Sequence, residues 1–162
     1  MTEDTRMQSF QTPIPPRLKI DIPRGRIRIL ASDTAETSVR LTAIHGDSVA
    51  RGLIADAEVA QNGDEIVVRV RRAGFRLFGL GGAVEAEIRA PLDSVAHLTT
   101  GSGRIETQGR LGEIDATTGS GQIRLDDSRQ ARARTGSGDI DIASASGSVD
   151  VRAESGKVVV GP

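Results

Sequence analysis

Apolar and polar residues alternate in short runs over most of the chain, and from residue 94 the runs recur at a fixed interval. The sequence there divides into SVAHLTTGS, GRIETQGRL, GEIDATTGS, GQIRLDDS, RQARARTGS, GDIDIASAS, GSVDVRAES and GKVVVGP. Every unit has nine residues except GQIRLDDS, which has eight, and the last, which is shorter. The third and fifth positions read Ala96/Leu98, Ile105/Thr107, Ile114/Ala116, Ile123/Leu125, Ala131/Ala133, Ile140/Ile142, Val149/Val151 and Val158/Val160. Polar or charged residues separate them in most units. This period-two alternation predicts strands with one buried face.

Each predicted strand is about five residues long, followed by a turn rich in Gly, Ser, Thr and Asp, residues that reach positive φ or bond their own backbone. The turns TTGS, TTGS, RTGS and RAES fall in alternate units, so two units form a longer repeat of about 18 residues. One such coil cannot bury its own apolar face. Stacking coils at the strand spacing of roughly 4.8 Å, with parallel pairing, does. The predicted architecture is therefore all-β: a parallel β-solenoid over residues 93–162. Ile114, Ala131 and Val149 form one internal ladder, and Ile105, Ile123, Ile140 and Val158 the opposing one. Ser102, Ser120, Ser137 and Ser155 occupy equivalent turn positions and form an external hydroxyl ladder.

Residues 13–92 carry a looser version of the pattern. RLKIDI, RIRIL after Gly25, TSVRLTA (37–43), a hairpin-like pair around Asn62-Gly63, and AVEAEIRAP ending at Pro91 all read as strands. This half is expected to form irregular opening coils or a β cap continuous with the solenoid. A short helix is expected at 47–57 through Val49, Leu53 and Ile54, and residues 1–12 are expected to be a mobile tail. AGFRLFGLGGA (73–83) breaks the alternation and holds Phe75, Leu77, Phe78 and Leu80. Such a loop either plugs an end of the solenoid or contacts a partner. Folding back as a plug is the preferred reading.

Composition narrows the function. Apolar residues make up 37% of the chain, yet only three residues are aromatic, all Phe, which suits thin repetitive layers of Ile, Val, Leu and Ala. With 21 basic and 22 acidic residues the net charge is −1, so neither the basic footprint nor the stacking rings of a nucleic-acid binder are present. The absence of Cys removes disulfides, thiolate metal sites and Cys nucleophiles. The sequence opens MTEDTRMQSF, without the apolar core of a signal peptide, and no stretch has the roughly 18 apolar residues of a membrane span. A cytoplasmic location is expected, with surface display left open.

No motif carries catalysis, metal or cofactor binding. Gly79, Gly81 and Gly82 lack the third glycine and the βαβ context of a dinucleotide fingerprint. Ser155-Gly156-Lys157 lacks the first glycine of a P-loop. The nine-residue period resembles that of calcium β-rolls, but Ser and Thr stand where those rolls place ligating Asp. His45 and His97 belong to no spaced metal motif. The carboxylate pairs Glu113/Asp115 and Asp139/Asp141 are the one arrangement that a β-helical carbohydrate enzyme could use. Against that reading, the turns are minimal and the repeat region has no aromatic platform.

At the repeated segments 100–105, 118–123 and 135–140 the chain resembles a bacterial β-strand-repeat family of unknown function labelled as candidate adhesins. The resemblance extends through the IDIPRGRIRI stretch (20–29) and VEAEIRAP, and so covers nearly the whole chain. It implies a right-handed β-solenoid and no catalytic residues. The expected function is a non-catalytic binding or scaffolding module for a protein or carbohydrate ligand, self-associating end to end through an open C-terminal coil. A carbohydrate-active enzyme with acids on the solenoid face is the alternative.

Overall fold

The computed structural model describes residues 4–44, 48–71 and 82–161. Its strands join in one open, twelve-stranded sheet. The framework strand is β2 (Arg17–Ser32), whose Leu18, Ile20, Ile22, Ile27 and Ile29 are all fully or almost fully buried. Its first half pairs in parallel with β5 (Glu65–Arg69) on one side and β7 (Val95–Gln108) on the other. Its second half pairs in parallel with β6 (Val84–Pro91) and again with β7. The tiers continue through β8 (Arg110–Ser120), β9 (Ile123–Ser137), β10 (Ile140–Ala145), β11 (Val149–Ser155) and β12 (Val158–Val160), all parallel.

Registers in the repeat region follow its spacing. Ala96 pairs with Ile114 and Ile105 with Ile123, each one full two-unit repeat further along the chain. Ile114 pairs with Ala131 and Ile123 with Ile140, one position short of that repeat, because the shortened unit GQIRLDDS intervenes. Ala131 then pairs with Val149 and Ile140 with Val158, again at the full repeat. The inward residues of both half-tiers belong to one hydrophobic cluster, so the two faces close over a shared core.

Three features depart from the sequence reading. The first is strand length: β7 runs through T-G-S-G and β9 through Asp126–Gln130 without a break, with Thr100 paired to Thr118 and Ser102 to Ser120. In β7 the motif is a bend in a continuous strand, whereas at 118–121 and 135–138 a strand ends on its serine, as a turn requires. The second glycine of the motif has φ of 152° at Gly103, 142° at Gly121 and 136° at Gly138, which redirects the chain.

The second concerns order. Expected as irregular opening coils or a β cap, the N-terminal half is folded in upon itself, because β2 lies between the β5/β6 tier and β7. Residues 33–94 are thus a long excursion. It holds β3 (Glu36–Ala43), antiparallel to β6, and the helix α1 (Ser48–Asp56), which buries Ala50 and Ile54. It also holds β4 (Glu58–Asn62), antiparallel to β5. Gly25 joins the line of bend glycines, whereas Gly63 (φ 63°) merely turns the β4–β5 hairpin.

The third corrects the expected mobile tail at residues 1–12. Thr5–Gln11 form β1, antiparallel to β3 along its whole length. Arg6 Nη1 donates to the carbonyls of Ile54 (3.0 Å) and Ala57 (2.8 Å), closing the C-terminal end of α1 where a cation is favoured. Phe10 packs against the core.

Candidate functional site

The expected serine ladder is a row in register: Ser102 pairs with Ser120, Ser120 with Ser137, and Ser137 with Ser155, beside Arg24 on β2. All four serines are exposed. Beneath this row run the bend glycines, packed so closely that a Cβ on Gly121 would overlap the Gly103 carbonyl oxygen. Buried threonines tie the bend from inside. Thr118 Oγ1 donates to Ser120 O at 3.1 Å, and Thr135 Oγ1 to Gly121 O at 3.1 Å and Ser137 O at 3.2 Å. Thr100, first in this row, has no partner for its buried Oγ1 among the described residues.

The outward side chains form columns across the strands. One face carries Arg40, Glu87, Arg28, Glu106, Arg124 and Asp141, each in register with the next and alternating in sign. Arg28 lies 3.5 Å from Glu87 and 3.9 Å from Glu106. A groove of about 380 Å³ lies over this column, lined by Arg28, Glu106, Arg124 and Asp141 with Leu125 and Ala143. On the other face Lys19, His97, Asp115, Arg132 and Asp150 stand in register. His97 Nδ1 is 3.9 Å from Asp115, and Arg132 Nε is 3.7 Å from Asp150. A groove of about 250 Å³ lies here, between His97, Glu113, Asp115, Gln130, Arg132 and Asp150. These columns were hidden in the sequence, because neighbours in a column come from different tiers and stand far apart along the chain. Alternating signs at the spacing of the two-unit repeat were the available signal.

Three of the four carboxylates singled out for chemistry sit against a backbone N–H or in register with cations. Asp139 Oδ1 accepts the Lys157 backbone N–H at 3.0 Å, Asp141 is in register with Arg124, and Asp115 stands between His97 and Arg132. Glu113 is exposed on an open face. Asp139 is likewise exposed, and Asp115 and Asp141 are half-buried. Among the described residues, no group of three or more His, Asp or Glu could hold a metal ion, and no helix is long and apolar enough to cross a membrane.

One tight ion pair fixes the entry to the repeat region. Asp93, at φ 68°, takes Arg110 Nε at 3.0 Å and Nη2 at 3.4 Å. The hydrogen bonds and charge of Asp93 hold the Arg110 guanidinium above its ordinary pKa. The apolar loop candidates Phe75, Leu77, Phe78 and Leu80 lie outside the described residues.

Comparison with known proteins places these features in context. A family model described as Toastrack DUF4097 matches residues 18–161. The curated proteins contain no match to the chain. Among solved structures, it is similar to a candidate cell adhesion protein from Clostridium sporogenes at 10% identity. That likeness has a TM-score of 0.67 and covers 96% of this chain and 98% of that one, so the two share a fold. A candidate adhesin from Parabacteroides distasonis matches at 9% identity and TM-score 0.38, over 94% of this chain and 82% of that one. Another from Bacteroides fragilis matches at 8% identity and TM-score 0.35, over 98% and 97%.

Proposed function

The chain belongs to the Toastrack DUF4097 family, and from that premise we propose that it is a non-catalytic binding module of the adhesin type, built as a right-handed parallel β-solenoid. The constant spacing of paired partners, two sequence units apart at every tier of the repeat region, supports a two-strand coil. Right-handed winding follows from the strong preference of parallel crossover connections for that hand. The observation that carries the binding reading is the pair of open faces covered by hydroxyl columns and by charge columns that alternate in sign. Such a face recognises an extended partner without a cleft in which to transform it. The shared fold of the Clostridium sporogenes protein, itself described as a cell adhesion candidate, agrees with this.

The module self-associates through its C-terminal tier, where Val158, Val159 and Val160 are 42%, 50% and 45% exposed. The test of the binding reading is a panel of polysaccharides and host proteins immobilised and probed with the full chain, each captured polymer then being checked for cleavage. Capture without turnover is expected. Turnover that disappears in Asp139→Asn or Asp141→Asn would replace the binding reading with the enzyme alternative.

A further inference from the structure

Charge alternates along the outward columns, and arginine faces arginine in two places. At the first, Arg26 faces Arg104, and each has a carboxylate of its own: Glu85 at 3.5 Å and Glu106 at 3.4 Å. At the second, Arg134 on β9 faces Arg152 on β11, and both are exposed. Among the described residues neither forms an ion pair. The nearest carboxylate on the column beside them, Asp150, is engaged by Arg132 at 3.7 Å. Glu154, just beyond Arg152 on the same strand, is exposed and makes no ion pair either.

Like charges directly opposite on neighbouring strands destabilise a sheet. Strands roughly 4.8 Å apart put both guanidinium forks within reach of one carboxylate or sulfate, whose paired oxygens the forks match. Thr117 continues the same column on β8, in register with Arg134, and Thr99 precedes it on β7. Gln130 and Ser148 are exposed beside the 250 Å³ groove. Glu113, Asp115 and Asp150 line that groove with His97 and Arg132, and beyond it Arg134 and Arg152 stand beside Thr117 as cations without an ion pair among the described residues.

We infer that Arg134 and Arg152 form an anion-binding element, and that its ligand is an acidic polysaccharide lying across the β8–β9–β11 face. The inference rests on the binding-module reading and names its ligand class. Hydroxyl and amide groups suit sugar hydroxyls, and the open face suits a chain rather than an enclosed small anion. A membrane surface would call for apolar side chains to insert beside the cations. Here Val149 belongs to the inward row of Ala131, and Met7 lies on β1 at the far edge of the sheet.

Titration calorimetry of the full chain with polygalacturonate, dextran sulfate and neutral dextran tests this, since the first two separate carboxylate from sulfate recognition. Binding to at least one acidic polymer, weakened by salt, is expected, with none to dextran. The double variant Arg134→Gln/Arg152→Gln should lose about tenfold or more in affinity while its melting temperature stays level or rises. Arg51→Gln, on α1 and outside both charge columns, should bind as the parent does. Absence of binding to both acidic polymers, or binding that the double variant retains, overturns the assignment. So does tighter binding to phosphatidylserine vesicles that the double variant abolishes. If the chain captures only a neutral glycan or a protein, the binding-module reading stands and this assignment falls. Cleavage of a polymer defeats both.

Discussion

At Gly121 the backbone has φ of 142°, and a methyl group there would overlap the carbonyl oxygen of Gly103 one tier below. Both the conformation and the space exclude a side chain, and the neighbouring backbone is locked in its own pairing. Gly121→Ala is expected to destabilise by about 3 kcal/mol or more, since strained conformation and overlap combine. Gly52, inside α1, has open space around the position of a Cβ. There the same substitution should stabilise by about 0.5–1 kcal/mol. Urea denaturation of the two variants should thus move in opposite directions. The buried threonines make a second pair. Thr118→Val removes the hydroxyl bonded to Ser120 O and is expected to cost about 0.5–1.5 kcal/mol, whereas Thr100→Val discards an unpartnered hydroxyl and should be neutral or stabilising. Equal losses in the two urea curves would contradict this account of the bend. The T-G-S-G letters were plain in the sequence, but the job of each became legible only once the tiers were stacked.

Among the elements, legibility followed inward periodicity. Along the strands from β2 to β10, alternate Ile, Val, Leu and Ala lie inward, from Leu18 through Ile142. The strand β1 was missed because its half-buried positions are Arg6, Gln8 and Phe10, two of them polar, so its pattern carries no alternation of hydropathy. The position of β2 was missed for another reason: any Gly-x-Ile half-tier can stack on any other, and nothing local says that β2 neighbours β6 and β7, far downstream in the chain. The inward rows also differ in cover. Ile140 is 1% exposed beneath a further tier, whereas its partner Val158 forms part of the last one. Ile140→Asp buries an unpaired charge and is expected to unfold β9 to β12, seen as loss of amide protection there by hydrogen exchange. Val158→Asp, at a half-open position, should leave protection of β9 intact. Matching effects at the two positions would show that the last tier is covered in solution.

For the molecule as a whole, the sheet ends at β12 and β11, whose outer edges have no partner strand among the described residues. Free edges of apolar strands recruit other strands, and edge lysines are a common guard against this. Val159 occupies an outward position, in register with Asp141, at the end of the column that alternates in sign from Arg40 onward. A lysine there would extend the alternation by one step and place a cation against Asp141, so the fold itself has no reason to suffer. Val159→Lys is therefore expected to keep the parent melting temperature while abolishing self-association. Light scattering after size exclusion should find the parent rising in mass across the micromolar range, and the variant monomeric throughout. A parent that is already monomeric removes the proposed self-association. A variant that still associates moves the contact away from this edge, to the faces or to the opposite end of the sheet at β1.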